Sequence, residues 1–214
     1  MADIFREVDE DLRRERYEKL WKTYGSYVIA LLVAVVLVTA GMVGWREYSE
    51  QRRTADGARF LNAAQMLADG RTAESAAAFA ALAADGSGDY PVLARLQEAG
   101  ALSAIGDTAA VAEIYEGLAA DDGIDPLYRD LALVLLALHS LDEADPAALS
   151  DRLAPLLADD NPWRHSAREM TGLLALRAGD HERAKGMFAD LSDDPITPPA
   201  MRQRATELLA ALGG

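Results

Sequence analysis

From Thr23 to Trp45 the chain reads TYGSYVIALLVAVVLVTAGMVGW without a charged residue. As a helix this run rises roughly 30–35 Å, the thickness of a bilayer core. A buried core helix of a soluble domain is rarely apolar all round for so long. Lys22 and Arg46 close its ends, while Trp21, Tyr24 and Tyr27 on one side and Trp45 and Tyr48 on the other fit the aromatic belts of the two interfaces. The run therefore predicts a transmembrane helix over 23–45. A cleavable signal peptide has a short basic start and a shorter apolar stretch, whereas 22 charge-rich residues precede this one. The segment reads as a retained signal anchor.

Arg13, Arg14, Arg16, Lys19 and Lys22 precede the span, and Arg46, Arg52, Arg53 and Arg59 follow it. By the positive-inside rule this small margin sets the N-terminal side in the cytoplasm. Both basic flanks are also placed to meet anionic headgroups of the lipid bilayer. Ala40 and Gly44, four apart, form a small-xxx-small pair that lets a second transmembrane helix approach. Ahead of the span, Ile4, Phe5, Val8, Leu12, Tyr17 and Leu20 recur at helical spacing and predict an amphipathic tail with a narrow apolar stripe.

The chain carries a formal charge of −14. Met1 to Lys22 mixes seven acidic with six basic residues, so the excess falls almost wholly on the region after the span. Phosphate binding draws on concentrated Lys and Arg, and an acidic surface repels it; a nucleic-acid role is excluded. Without cysteine the chain has no disulfide and no thiolate metal site. Abundant alanine and few alternating β-branched runs favour closely packed helices over sheets.

Four segments of the acidic region superimpose: ESAAAFAALAADG from Glu74, AVAEIYEGLAADDG from Ala110, ALSDRLAPLLADDN from Ala148 and ERAKGMFADLSDD from Glu182. Phe79, Tyr115, Leu153 and Phe188 share one column, and Leu82, Leu118, Leu156 and Leu191 lie three further on. A loop bearing Asp85, Asp121, Asp159 or Asp194 follows each. The column recurs every 35 to 38 residues. Between these segments a second helix is predicted each time, opened by Pro91, Pro126 and Pro162, since proline suits a first helical turn. Pro198 begins a final stretch, PAMRQRATELLAAL, in the same phase and predicts a capping helix. Gly106-Asp107 and Gly179-Asp180, with Asp69-Gly70 in reverse order, mark tight turns between paired helices. Gly57 is a candidate kink in the helix that leads from the span to the first turn.

A helix, a tight turn and a second helix at this period describe stacked hairpins, each burying its apolar face against the next. The units resemble a tetratricopeptide repeat: Gly172, Gly179, Ala184 and Phe188 fall at that motif's spacing of small and aromatic positions. The first two units offer Ser75 or Ala76 and Val111 or Ala112 near the small-residue position. The third, with Leu153 for the aromatic, departs furthest. The fold class expected is all-α, a single N-terminal transmembrane helix followed by a tetratricopeptide-like helical-hairpin solenoid.

No Walker loop, dinucleotide fingerprint, GxSxG elbow or HExxH helix is present. His139, His165 and His181 fall in different units without metal-ligand spacing, which leaves exposed or locally capping roles. Asp121-Asp122, Asp159-Asp160 and Asp193-Asp194 lack the ligand order of a calcium loop and sit where repeat turns belong. The chain is expected to be no enzyme, to need no cofactor or metal, and to take no small-molecule substrate.

A charged tail, a span ending in GMVGWREYSEQRR, and alanine-rich hairpins to the C-terminus resemble the YfgM-like ancillary subunits of the bacterial Sec translocon. Gly44 to Tyr48 carries the most local likeness. The resemblance implies a bacterial inner-membrane protein with a cytoplasmic N-terminus and a periplasmic repeat domain. It also implies SecYEG and the membrane-anchored chaperone PpiD as partners. The expected organisation is a cytoplasmic tail over 1–22, the span over 23–45, a connecting helix and start of the first hairpin over 46–69, and the repeat domain with its capping helix over 70–214. General hairpin stacking makes Arg95, Gln97, Glu98, Arg129, Arg168 and Glu169, on first helices, candidates for a partner-binding groove. The function expected is a scaffold or chaperone accessory at the translocon. The alternative is an assembly or stability subunit of another inner-membrane complex, respiratory or of cell division.

Overall fold

A computed structural model describes residues 2–213; the side chains of residues 2–20, Thr23, Ser26 and Val28 lie outside the described set, and with them the apolar stripe expected from Ile4 to Leu20. Among the described residues the chain is helices and turns alone. They are α1 (Ala2–Ala68), α2 (Thr72–Asp85), α3 (Tyr90–Ala104), α4 (Thr108–Ala119), α5 (Pro126–His139), α6 (Pro146–Leu153), α7 (Arg164–Arg177), α8 (His181–Asp193) and α9 (Pro199–Ala211); α6 runs on into a 3₁₀ turn, Ala154–Leu157. The chain divides into two compact units, Met1–Thr54 and Ala55–Gly214.

The first unit is helix α1 as far as Thr54. Its described part is long and apolar enough to cross a membrane, and none of its most apolar stretch is buried inside the protein. Every residue from Ile29 to Tyr48 is exposed. So long a sheath of bare Leu, Val and Ile is stable against lipid and costly against water. Thr39, the polar residue in its middle, donates its hydroxyl back to the Val35 carbonyl at 2.8 Å, so no hydrogen-bonding group faces the apolar surroundings unpaired there.

The second unit is built as hairpins. The end of α1 pairs with α2, α3 with α4, α5 with α6, and α7 with α8, and α9 follows singly. Phe79, Tyr115, Leu153 and Phe188 are buried, as are Leu82, Leu118, Leu156 and Leu191. Each large side chain of this kind contributes about 1.5–3 kcal/mol on leaving water. Sixteen positions upstream of each first-column residue stands a small one, Ala63, Ala99, Ala137 or Gly172, also buried or helical against it. Between the alternatives for the other small position, Ser75 and Val111 are fully buried, whereas Ala76 and Ala112 are less so. The Ser75 hydroxyl is accommodated because it donates to the Ala63 carbonyl at 2.8 Å.

Four apolar cores result, and each is closed by an alanine from the next helix along: Ala94, Ala132, Ala167 and finally Ala205 of α9. A hairpin alone would leave that face wet, which is why the units stack and why the last needs a cap. The same stacking appears in polar contacts between residues one repeat apart. The Trp163 indole donates to the Leu127 carbonyl at 2.9 Å, Arg152 meets Glu116 at 2.9 Å, and Arg177 donates to the Leu141 carbonyl.

Gly70, Gly106 and Gly179 hold φ of 79°, 80° and 78°, the left-handed conformation that closes a helix end. In each turn the next residue donates back to a carbonyl five positions upstream: Arg71 to Met66, Asp107 to Leu102 and Asp180 to Ala175. Asp107 and Asp180 then cap α4 and α8 by accepting from Ala110 and Arg183. The third unit has no such glycine between α5 and α6, and Pro155 removes a helical donor, so its second helix breaks into the 3₁₀ turn. Pro91 and Pro126 lie in the first turns of α3 and α5 as expected, and Pro198 caps α9. Pro162 differs: α7 starts only at Arg164, because the Asn161 side chain accepts from the Trp163 amide at 2.8 Å and holds a turn there. Gly57 does not interrupt α1 either; its missing side chain makes room for the Tyr90 hydroxyl, which would lie 2.8 Å from a Cβ.

Candidate functional site

Polar side chains of the first helices are used in two distinct ways. Seven positions before each small residue of the core, the side chain reaches the loop that ends its own hairpin. Asp56 accepts from the Ser87 amide and hydroxyl at 2.8 and 2.6 Å. Asp130 accepts from the Asn161 side chain at 2.8 Å, and His165 Nε2 meets Asp194 Oδ2 at 2.9 Å. Val92 occupies this position in the second unit. His165 is thus buried and bonded to a loop 29 residues away, not exposed or locally capping as its sequence context suggested. These latches fasten the loops that join one hairpin to the next helix.

The Ser87 hydroxyl bond holds the Asp56 carboxyl below its usual range against the opposing effect of burial, and the His165 bond does the same for Asp194. A carboxylate depressed in the folded state contributes stability that is complete above the unfolded value near ~3.9 and is lost as pH falls through the folded value. Stability is therefore expected to decline below about pH 4. The Asp56→Asn and Asp194→Asn double variant should show a shallower decline, read as helix content against denaturant at acidic and neutral pH on the full chain in detergent. An unchanged decline would assign acid sensitivity to other carboxylates.

Three positions further along the first helices, Arg59, Arg95 and Arg168 form a second column, with Leu133 in the third unit. Arg59 meets Asp85 at 2.7 Å and Arg95 meets Asp121 at 3.8 Å, so each pairs with the loop aspartate of its own hairpin. Arg168 instead meets Asp159 at 3.3 Å, since His165 already holds Asp194. The aspartate of each pair is exposed, so solvent screens the attraction and these contacts add little stability.

Arg95 and Glu98 share a cleft of about 500 Å³ with Ala80, Ala83 and Ala84 of α2, Leu102 of α3, and Ala110, Glu113, Ile114 and Gly117 of α4. Each helix presents residues three, four or seven apart, the spacing of a single helical face. The cleft has room because α2 offers only alanine along its wall and α4 sets Ala110 and Gly117 beside Glu113 and Ile114. Desolvation pushes the Glu98 carboxyl up, against the pull of Arg95. Among the described residues neither Glu98 nor Glu113 makes an ion pair, whereas Arg95 is engaged with Asp121.

The remaining residues expected in a groove do not join them. Gln97 is exposed on α3. Arg129 pairs with Asp122, and Arg168 with Asp159. Glu169 is buried, with both carboxylate oxygens bonded by Arg204 of α9 at 2.8 and 3.0 Å. Its charge serves the contact with the cap. Ala40 and Gly44 are exposed in the first unit, with nothing within 4 Å of a Cβ built at Gly44. Glu113, Ile114 and Gly117 are cleft residues that sequence reasoning passed over; their spacing on one face of α4, opposite Glu98, was the signal. Among the described residues no group of three His, Cys, Asp or Glu side chains has metal-binding geometry.

Helical hairpins stacked every 35 to 38 residues, with their caps and latches, define a repeat protein of the class that binds other proteins. A family model described as a tetratricopeptide repeat-like domain matches residues 18–194, taking in the apolar helix as well as the hairpins. The chain belongs to that tetratricopeptide repeat-like family. No curated protein matches it.

Proposed function

We propose that this chain is a non-enzymatic scaffold, anchored in the bacterial inner membrane with its N-terminal side in the cytoplasm and its repeat domain in the periplasm. There it holds partner proteins beside the Sec translocon, as a chaperone accessory. The observation that carries the reading is the sharing of α1: it supplies the bare apolar run from Ile29 to Val43 and then Ala63 in the core of the first hairpin. Residues 46–54 alone lie between the span and the repeat unit. An anchor so closely joined to a binding fold raises the concentration of its partners at the membrane. Cytoplasmic placement of the N-terminal side is supported by the flanking cations. The translocon and a PpiD-like chaperone are supported by the likeness of the Gly44–Tyr48 stretch and the order of parts to YfgM-like subunits.

Purification of the full chain in mild detergent, together with a periplasm-active reporter fused after Gly214, tests both halves. Recovery of SecYEG with a PpiD-like chaperone and an active reporter are expected. A cytoplasmic reporter signal, or repeated recovery of a respiratory or division complex in place of the translocon, overturns the reading.

A further inference from the structure

We propose that the cleft between α2, α3 and α4 is a docking site for a partner-protein segment that places one lysine or arginine between Glu98 and Glu113 and lays small aliphatic residues along the alanine wall. The inference rests on the scaffold reading for the existence of a partner and adds its chemistry.

The space comes first. Ala80, Ala83 and Ala84 leave one side of the cleft low, and a Cβ built at Gly117 on the other meets nothing within 4 Å. A volume of about 500 Å³ takes several side chains and falls in the range of ligand clefts. The charge comes second. Glu98 is partly withdrawn from water without an ion-pair partner among the described residues, and Glu113 stands in the same cleft. A partly desolvated carboxylate is costly until a cation meets it. Arg95 is the cation of the cleft, and Asp121 shares it at 3.8 Å. An incoming ammonium or guanidinium therefore gains charge-assisted bonds that the folded chain does not already make. An acidic segment would meet two carboxylates on a chain of charge −14.

The repeat supplies an independent reason. The positions of Glu98 and Glu113 are Asn62 and Ala77 in the first unit, Leu136 and Asp151 in the third, and Thr171 and Gly186 in the fourth. Stacking therefore does not require carboxylates there, and the second unit alone has both. A free small polycation would satisfy the carboxylates but leave Leu102, Ile114 and the alanine wall in water, so the lining favours a peptide segment.

The test uses the full chain in nanodiscs and a peptide series, AALAXALAA, with X as lysine, arginine, norleucine, glutamine or glutamate. Lysine and arginine peptides are expected to bind at least about tenfold more tightly than the norleucine and glutamate peptides, with the advantage shrinking as salt rises. The Glu98→Gln and Glu113→Gln double variant should erase that preference, and Gly117→Phe should block every member. Equal binding of lysine and norleucine peptides, no binding by any member, or a preference that survives the double variant overturns the proposal. Full displacement by free spermidine at matched concentration would make this a small-cation site and overturn it likewise. If the translocon or chaperone is still recovered with the double variant, the cleft assignment falls and the scaffold reading stands. If the wild-type chain recovers neither, the scaffold reading falls, whatever the peptides show.

Discussion

Phe188→Ala is expected to destabilise the repeat domain by about 3–5 kcal/mol, the cost of deleting a fully buried aromatic ring from a core with little freedom to collapse. The companion change is Gly172→Val, expected to cost about 2–3 kcal/mol although it replaces a helical glycine. A Cβ at Gly172 would lie 2.7 and 2.9 Å from the Phe188 ring atoms Cε1 and Cζ. That ring is enclosed by Ala175, Ala184, Leu191 and Ala205 and has nowhere to go. Gly186, on the same helix as the ring, has nothing within 4 Å of its missing Cβ, so Gly186→Ala should stabilise by about 1 kcal/mol through helix propensity alone. Equilibrium denaturation of the full chain in detergent separates the two. Gly172→Ala combined with Phe188→Leu should cost less than the sum of the single changes, because the smaller side chain vacates the contact. If Gly172→Ala proves as stabilising as Gly186→Ala, the glycine-ring contact is not what holds α7 to α8.

That contact was legible in the amino-acid sequence because it belongs to the repeat: a glycine and an aromatic at fixed spacing, recurring as alanine with Phe79 and alanine with Tyr115. Apolar columns are constrained by burial and by period together, so Leu82, Leu118, Leu156 and Leu191 could be placed within an all-α solenoid before any coordinate. Polar columns are not so constrained. The latch position runs Asp56, Val92, Asp130, His165, and each partner lies in a loop about thirty residues on, with a different donor every time. No single residue type recurs to mark it. The groove residues failed to form one set for a related reason. Glu169 and Arg168 are neighbours in sequence, yet helical geometry turns the first toward Arg204, one repeat later, and leaves the second to a loop aspartate. The cleft was hidden because the wall that opens it, on α2, is made of alanines alone. Alanine reads as helix propensity in a sequence, and only facing alanines on neighbouring helices read as space.

Leu32→Arg together with Val36→Arg is expected to abolish retention of the chain in membranes. Both residues lie near the middle of the run from Thr23 to Trp45, and both are bare of protein cover. An arginine at the centre of a span costs about 2.5–3.5 kcal/mol, and the apolar contribution of each replaced residue is lost as well, so the pair is worth roughly 6–8 kcal/mol. Among the described residues no second helix is long and apolar enough to cross the bilayer beside it and shelter two guanidinium groups. Extraction of isolated membranes with alkaline carbonate should move the double variant from the pellet to the supernatant, while the wild type stays. A variant that remains in the pellet would mean that the run is not the membrane anchor. Ala40→Leu with Gly44→Leu supplies the opposite case: both changes add apolar surface, so retention should persist even where close approach of a second helix is lost. If the hairpins depend on their anchor to meet partners, the arginine variant should lose partner recovery while keeping its helix content and its preference for cationic peptides. Loss of recovery would then reflect dilution from the membrane surface, since the cleft of Glu98 and Glu113 is built wholly within the repeat unit.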